Sequence, residues 1–132
     1  DTIIAGAGAN IILGGAGTDG ITTGVDADII IGDNGQVEFT TDAGVTTTTI
    51  TVDDFTTGTG DTIDAGNGAN VVMGGTGDDT IDSGIDADVI FGDGGTAVIT
   101  GAILTRLEST DAYESTDTIR ATSGDKIGRA HV

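Results

Sequence analysis

The chain of 132 residues contains no proline, cysteine or tryptophan, and it has only 4 basic residues against 22 acidic ones. Without cysteine it can form neither a disulfide framework nor a thiolate metal site, although this does not identify the compartment. With a formal charge of −18 it has almost nothing that could neutralise phosphates, which argues strongly against nucleic-acid binding. No apolar run approaches the roughly 20 residues that cross a bilayer, so we expect no membrane span.

Aromatic residues are also scarce, at 3%, whereas glycine occupies 24 positions. A strongly acidic chain with few aromatic residues is usually disordered. The aliphatic residues of this chain nevertheless recur with a strict spacing of nine, which argues against permanent disorder. We therefore expect a chain that folds only when cations neutralise its carboxylates.

Two stretches, Ala5–Val37 and Ala65–Ala97, divide into rows of nine residues. Each row opens with six small, glycine-rich residues that favour a tight turn, and it closes with a three-residue strand. Place six of the first three rows in each stretch is Asp or Asn, and place eight is a branched aliphatic residue. The place-eight residues are Ile12, Ile21 and Ile30 in the first stretch and Val72, Ile81 and Ile90 in the second.

Turn, strand, turn and strand return the chain to its starting side after eighteen residues. Rows two apart then pair in a parallel sheet, roughly 4.8 Å apart, with place eight filling a thin interior. The turns stack as well, which brings the place-six side chains of alternate rows together. The predicted pairs are Asp1 with Asp19, Asn10 with Asp28, Asp61 with Asp79, and Asn70 with Asp88. Carboxylates beside exposed turn carbonyls are the hard oxygen ligands that Ca²⁺ prefers.

The rows resemble the calcium-binding nonapeptide GGxGxDxUx of RTX (hemolysin-type) proteins. The resemblance implies an all-β fold, a parallel β-roll or β-solenoid, which we expect to be right-handed from the general rule for crossovers. It also implies Ca²⁺ as the bound metal, type I secretion, and folding on contact with extracellular calcium. The implied metal-binding residues are the eight members of the four pairs above.

Several positions depart from this motif. Asn10 and Asn70 bring an amide oxygen without charge, so their sites should be weaker or should depend on backbone oxygens. Asp26 and Asp86 replace the glycine of place four, which either adds a ligand or distorts the loop. The rows at residues 32–35 and 92–95 lack an acid in place six, so calcium coordination is expected to lapse there, with Asp33 and Asp93 capping the array.

A larger period of 60 residues relates Asp1 to Asp61 and continues to Gly35 and Gly95. The predicted organisation is two β-roll blocks with β-hairpin insertions, followed by the start of a third unit. Its ranges are block one at residues 1–37, a hairpin at 38–60, block two at 61–97, a hairpin at 98–116 and the third unit at 117–126. Residues 127–132 match no repeat and look like a translated sequencing adapter, so we interpret them as an artefact.

Alternate strands differ in polarity, and the strands of one sheet are apolar at all three positions. Strands that are apolar on both sides are usually covered on both sides. The side chains that need a cover are Ile11, Leu13, Ile29, Ile31, Val71, Met73, Val89 and Phe91. We expect the hairpins to cover them, presenting Ile50 and Val52, or Ile103 and Leu107; a neighbouring repeat or self-association through this face is the alternative.

The sequence predicts no catalytic site. Paired carboxylates can indicate a glycosidase, but here acids occur in every turn and no pair is unique. The threonine run Thr46–Thr49 occurs once, whereas an ice-binding surface needs threonines on every coil. The predicted function is a calcium-folded structural module, an adhesin-like spacer of a large secreted or cell-surface bacterial protein. The alternative is the repeat region of a type I-secreted toxin, protease or lipase whose catalytic domain lies elsewhere.

Overall fold

The computed structural model describes residues 1–110, 115–124 and 127–129, and for the last three only the backbone. These residues form fourteen strands and no helix. Ten short strands belong to the nine-residue rows: β1 (Thr2–Ile4), β2 (Ile11–Leu13), β3 (Gly20–Thr22), β4 (Ile29–Ile31), β7 (Thr62–Asp64), β8 (Val71–Met73), β9 (Thr80–Ser83), β10 (Val89–Phe91), β13 (Thr118–Ala121) and β14 (Ile127–Arg129). Four longer strands belong to the insertions: β5 (Gln36–Asp42), β6 (Val45–Val52), β11 (Gly94–Thr100) and β12 (Ile103–Thr110).

The short strands form two parallel sheets, which we call the polar sheet and the apolar sheet after their outer faces. The strand order is β1-β3-β7-β9-β13 in the polar sheet and β14-β10-β8-β4-β2 in the apolar sheet. The prediction of an all-β fold with parallel rows is confirmed. The two predicted blocks form one uninterrupted stack, since β3 pairs with β7 and β4 pairs with β8 across the first insertion.

The interior between these two sheets is filled by place eight of each row. All six residues predicted there are buried, together with Ile63 and Ala65. In register, Ile21 lies beside Ile63 and Ile30 lies beside Val72. Because the side-chain period of a strand is two, places seven and nine face outward. The outer residues of the polar sheet, such as Thr62 and Asp82, are exposed.

The two insertions join into one antiparallel sheet, the hairpin sheet, with strand order β12-β11-β6-β5. Within each insertion the two strands pair as a hairpin, and β11 of the second insertion also pairs along β6 of the first. In that register Ala97 lies opposite Ile50, and Gly95 lies opposite Val52. The molecule therefore has three layers, with the apolar sheet in the middle.

A second core lies between the apolar sheet and the hairpin sheet. Val71, Met73 and Phe91 are buried there with Ile50 and Val52, as the polarity of the strands predicted. The predicted use of Leu107 is also confirmed. The prediction for Ile103 is wrong, since this side chain is 68% exposed and Leu104 takes its place in the core. The register shifts between Val98 and Ile99, where Val98 pairs with Arg106 but Ile99 pairs with Leu104, and this bulge reverses which side chains face inward.

The cover over the apolar sheet does not reach its first strand. Ile31 is fully buried and Ile29 and Val89 are partly buried, but Ile11 and Leu13 on β2 remain 49% and 41% exposed. The expectation that all eight outward apolar residues would be covered is therefore wrong for these two. β2 is the terminal strand of its sheet, and the hairpin sheet packs over the strands beyond it.

At the other end of the apolar sheet, β14 pairs in parallel with β10. This pairing does not test the origin of residues 127–132, so the interpretation of that segment as an artefact stays a prediction. Ala130–Val132 lie outside the described residues, as do Asp125 and Lys126 of the predicted third unit.

Candidate metal centre

The turns between the strands form two stacks, one on each side of the coil. On the side where the chain leaves the apolar sheet, main-chain hydrogen bonds link successive turns: Gly15 N–H donates to Gly32, Asp33 N–H to Gly74, and Gly75 N–H to Gly92, over 3.0–3.2 Å. The row that starts at Gly32 reaches its place-six residue only at Asp61, because the first hairpin is inserted within the turn. Asn34 and Thr57, on either side of the hairpin, close this split turn with a side-chain hydrogen bond of 2.7 Å.

Place-six aspartates form a continuous ladder along this side, the first ladder, made of Asp19, Asp61, Asp79 and Asp117. The main-chain N–H of each member donates to Oδ1 of the next, with distances of 2.8, 2.7 and 3.0 Å. All four residues are at most 8% exposed. The predicted pair of Asp61 and Asp79 is thus in contact, and the ladder continues on both sides of it. Asp117 begins the same Asp-Thr-Ile sequence as Asp1 and Asp61, and this was the signal that could have identified it. Asp117 was nevertheless not among the predicted site residues.

In three members of the first ladder, the second carboxylate oxygen is buried beside a glycine. Among the described residues, Oδ2 of Asp19, Asp61 and Asp79 has no hydrogen-bond partner. Each Oδ2 lies against the place-one glycine of its own turn, next to the carbonyl oxygen of the following turn. At Gly32, for example, an added Cβ would overlap both Asp61 Oδ2 and the carbonyl oxygen of Gly74. Anionic oxygens and carbonyl oxygens therefore converge in spaces that only glycine leaves open.

The opposite side carries the second ladder, made of Asn10, Asp28, Asn70 and Asp88. Its main-chain N–H groups donate to the next side chain in the same way, over 2.7, 2.9 and 2.9 Å. The predicted pairs of Asn10 with Asp28 and of Asn70 with Asp88 are therefore in contact. Asp28 Oδ2 is buried and makes no hydrogen bond to the described residues.

The two asparagines behave differently from the aspartates. Asn70 Nδ2 donates to the carbonyl oxygens of Ala65 and Gly68 within its own turn, at 3.1 and 3.0 Å. Asn10 Nδ2 donates in the same way to Gly6 and Gly8, at 3.1 and 2.7 Å. The amide thus satisfies turn carbonyls that a carboxylate would leave available as ligands.

Burial raises the pKa of three carboxyl groups on the first side. The pKa is about 6 for Asp33, about 7 for Asp61 and about 8 for Asp79, mainly because burial disfavours the charged form. Neighbouring carboxylates raise these values further, whereas main-chain N–H donors lower them. No ion pair within the described residues compensates Asp61 or Asp79. The metal-free fold therefore brings together buried carboxyl groups that no positively charged side chain in the described part of the chain compensates.

Asp26 and Asp86, at place four, keep the turn conformation of the glycines that they replace. Their φ angles are 90° and 91°, in the left-handed region that favours glycine, and the equivalent Gly8 has φ 105°. Asp26 Oδ2 accepts a hydrogen bond from the main-chain N–H of Gly8 at 3.1 Å. Asp26 and Asp86 were expected either to distort the loop or to add a metal ligand. The φ angles show no distortion of the loop, and the role as metal ligand stays a prediction.

Asp33 does not cap the array but lies inside it. Its side chain is fully buried against Gly58 and Gly75, and its Oδ2 accepts a hydrogen bond from the main-chain N–H of Thr76. It thereby joins the first half of the split turn to the second half and to the next turn. Asp93, 60 residues later, accepts a hydrogen bond from Ser115 Oγ across the second insertion. Sequence reasoning missed this role because the partners follow an insertion of unpredictable path.

Asp1 is the predicted site residue that the structure places differently. Its amino group, rather than its carboxylate, lies 2.6 Å from Asp19 Oδ1 and 3.0 Å from the carbonyl oxygen of Thr18. Its side chain is 89% exposed, whereas that of Asp19 is 2% exposed. The pair of Asp1 and Asp19 is therefore in contact, but through a main-chain group.

No group of three or more acidic, histidine or cysteine side chains within the described ranges is arranged to hold a metal ion. The oxygens that converge at each turn are instead one carboxylate with main-chain carbonyls. Such a donor set consists only of hard oxygens, which fits Ca²⁺ and does not fit metals that prefer nitrogen or sulfur. The buried Oδ2 atoms of Asp19, Asp28, Asp61 and Asp79 are the anionic part of this set.

A family model described as RTX calcium-binding nonapeptide repeat, in 4 copies, matches residues 1–30 and 64–99, which together make up half of the 132-residue chain. No curated protein and no solved structure matches the chain. In the part of the chain that the structure describes, no helix has the length and apolar character needed to cross a membrane.

Proposed function

Since this chain belongs to the RTX calcium-binding nonapeptide repeat family, we propose that it is a structural module whose folding is driven by calcium. The observation that supports this most directly is the set of buried carboxylates of Asp19, Asp28, Asp61 and Asp79, whose Oδ2 atoms accept no hydrogen bond from the described residues. Burying such a group without a partner is costly. A divalent cation at the turns would compensate these charges and make the buried ladder favourable.

We assign the calcium-binding role first to Asp19, Asp61 and Asp79 of the first ladder and to Asp28 and Asp88 of the second. When bound, calcium supplies the positive charge that the chain lacks. The protein's own contribution is to place one carboxylate beside turn carbonyls and to exclude bulky side chains from the turn. We expect Asn10 and Asn70 to be weaker calcium ligands, because their amide groups already donate hydrogen bonds to turn carbonyls.

Without calcium, few interactions stabilise the folded state. Glycine-rich turns lose much backbone entropy on folding, and the main interior is only one aliphatic residue deep in each row. The net charge of −18 adds repulsion. We therefore propose that the chain is disordered in a chelator and folds at calcium concentrations of about 10⁻⁴–10⁻³ M, the range of extracellular modules.

Circular dichroism in EDTA and in millimolar calcium tests this proposal. The expected result is a disordered spectrum in EDTA and a β-rich spectrum in calcium, reversible on adding the chelator. A β-rich spectrum that calcium and EDTA leave unchanged would contradict the proposal.

Mg²⁺ is the matched control: it demands compact octahedral geometry and retains its waters, so it should not restore the folded spectrum at the same concentration. Equal recovery with Mg²⁺ would indicate diffuse charge neutralisation instead of sites.

We further propose that the host protein is large, bacterial, and secreted by a type I system or held at the cell surface. The 60-residue period supports a spacer built from many such units. The repeat region of a secreted toxin, protease or lipase is the alternative. The full-length gene distinguishes the two, since a spacer requires further copies of the unit and the alternative requires a neighbouring catalytic domain.

A further inference from the structure

Two successive units of the 60-residue period are present, and their contact shows how one unit packs on the next. The hairpin of the first unit places Ile50 and Val52 in the second core, together with Val71 and Met73 of the second unit. Along the same boundary β11 pairs with β6, and β8 pairs with β4. The result is that Val71 and Met73 are only 5% and 0% exposed.

The first unit carries the same apolar positions, but there they are exposed. Ile11 and Leu13 precede Val71 and Met73 by 60 residues, and they are 49% and 41% exposed. Phe39, on the terminal strand of the hairpin sheet, is 55% exposed. It lies on the same strand face as Val37, which packs in the second core. We call these three exposed residues, which lie on the terminal strands of the apolar sheet and the hairpin sheet, the leading face.

The main chain at Asp1 is also arranged as it is at the boundary between the two units. At that boundary Asp61 follows Gly60 directly, and its N–H donates to Asp79 Oδ1 at 2.7 Å. The nitrogen of Asp1 donates to Asp19 Oδ1 at 2.6 Å. Inside the chain the first unit continues directly into the second at Gly60 and Asp61, and this continuity favours a partner in the same polypeptide over a second molecule.

We infer that the leading face binds a preceding repeat unit of the same polypeptide. Its hairpin would cover Ile11 and Leu13 with residues equivalent to Ile50 and Val52, and its second hairpin strand would pair along β5. The inference rests on the proposed function only in that the array must be folded. It specifies how the module is extended: each hairpin covers the unit that follows it, so that the units join without a linker.

The test extends the chain at its amino end with a second copy of its own residues 1–60, so that Gly60 of the added copy precedes Asp1. Leu13 of the original part, not of the added copy, is then replaced by Ala. The effect of this Leu13→Ala substitution on thermal unfolding is compared between the original and the extended chain. In the original chain, where Leu13 is half exposed, the midpoint should change by no more than about 2 °C. In the extended chain it should fall by at least about 4 °C, as for a buried leucine.

Ile4→Ala is the matched control. Ile4 is 79% exposed on the outer face of the polar sheet, which no hairpin covers in the described structure, so its effect should be small in both chains. Ile50→Ala in the added copy should weaken the effect of Leu13→Ala, because the two side chains would share one cluster. Equal effects of Leu13→Ala in the original and extended chains would overturn the inference.

Sedimentation of the original chain measures its oligomeric state and so tests whether a second molecule of the chain, rather than a preceding unit, binds the leading face. A calcium-dependent dimer that Leu13→Ala dissociates would show that a second molecule binds the leading face, and this would also overturn the inference. The unfolding comparison is made in calcium, and in EDTA if the protein folds there, so that a failure of the proposed calcium dependence leaves this test intact. A chain that folds in neither condition would overturn both proposals.

Discussion

The main-chain N–H of Asp19 donates to Oδ1 of Asp61 at 2.8 Å, although the two residues are 42 positions apart. The same bond joins Asp61 to Asp79, which are 18 positions apart. A whole hairpin therefore lies between two successive members of the ladder without changing its geometry. The insertion is possible because it enters within a turn, at a point where the chain is already on the surface, and the two halves of the turn are joined again by Asp33 and by Asn34 with Thr57.

The buried carboxylate of Asp79 should determine calcium affinity, whereas the exposed carboxylate of Asp82, three residues later, should not. Asp79→Asn keeps an oxygen that can accept the N–H of Asp61 but removes the charge. We expect calcium affinity to fall at least about tenfold, equivalent to roughly 1.4 kcal/mol. Asp82→Asn makes the same change of charge on the outer face and should leave affinity nearly unchanged. Calorimetric titration of both variants checks this, and equal losses would mean that net charge alone binds calcium.

The glycine at position 32 should be required by the site as well as by the turn. Gly32→Ala would place a Cβ against Asp61 Oδ2 and the carbonyl oxygen of Gly74, so one of them must move. We expect a loss of about 1–3 kcal/mol of stability in calcium, as for other overpacked positions, together with weaker calcium binding. Gly6→Ala is the control, since nothing lies within 4 Å of its added Cβ. A Gly32→Ala variant as stable as Gly6→Ala would contradict this account of the turn.

Asn70→Asp should make the second ladder more dependent on calcium. The substitution keeps an oxygen that accepts the N–H of Asp28, but it removes the donor to the carbonyl oxygens of Ala65 and Gly68. The metal-free protein should therefore become less stable, and calcium should bind more tightly, because a carboxylate and two carbonyls become available. Asn67→Asp, at an exposed position, supplies the same charge as a control. Weaker calcium binding by Asn70→Asp would show that the amide is itself the better ligand.

The metal-free protein should be more stable at mildly acidic pH than at pH 8. The pKa values of Asp33, Asp61 and Asp79 are raised to about 6, 7 and 8 by burial, from an ordinary value of 3.8. Between pH 4 and 8 the folded state thus binds more protons than the unfolded state, so the free energy of unfolding falls as pH rises. Calcium competes with these protons, and its affinity should rise with pH, about tenfold per pH unit for each proton displaced.

Dichroism in EDTA from pH 4.5 to 8, with calcium titrations at the two ends, measures both effects. Residual structure that increases with pH in EDTA would contradict the first. A calcium affinity that does not change with pH would contradict the second.

The rows, the interior and the ladder contacts within each block could be predicted from local sequence. Place eight fills the core because the row has a local period: a glycine-rich turn followed by three extended residues leaves one side chain pointing inward, as at Ile21 and Ile81. The same period brings Asp61 to Asp79 and Asn70 to Asp88. These features depend only on residues close in sequence, so they can be predicted without knowing the path of the insertions.

The packing of the insertions could not be predicted in this way, because it depends on contacts between residues far apart in sequence. The pairing of β6 with β11 joins two hairpins from different units, and a single bulge in the second hairpin exchanges Ile103 for Leu104. The burial of Asp33 and the contact between Asp19 and Asp61 likewise depend on where the chain returns after a hairpin. Such contacts are long-range, and each is decided by packing among several strands. No local pattern carries that information, and for this reason Ile11 and Leu13 have the same sequence signature as Val71 and Met73 but a different environment.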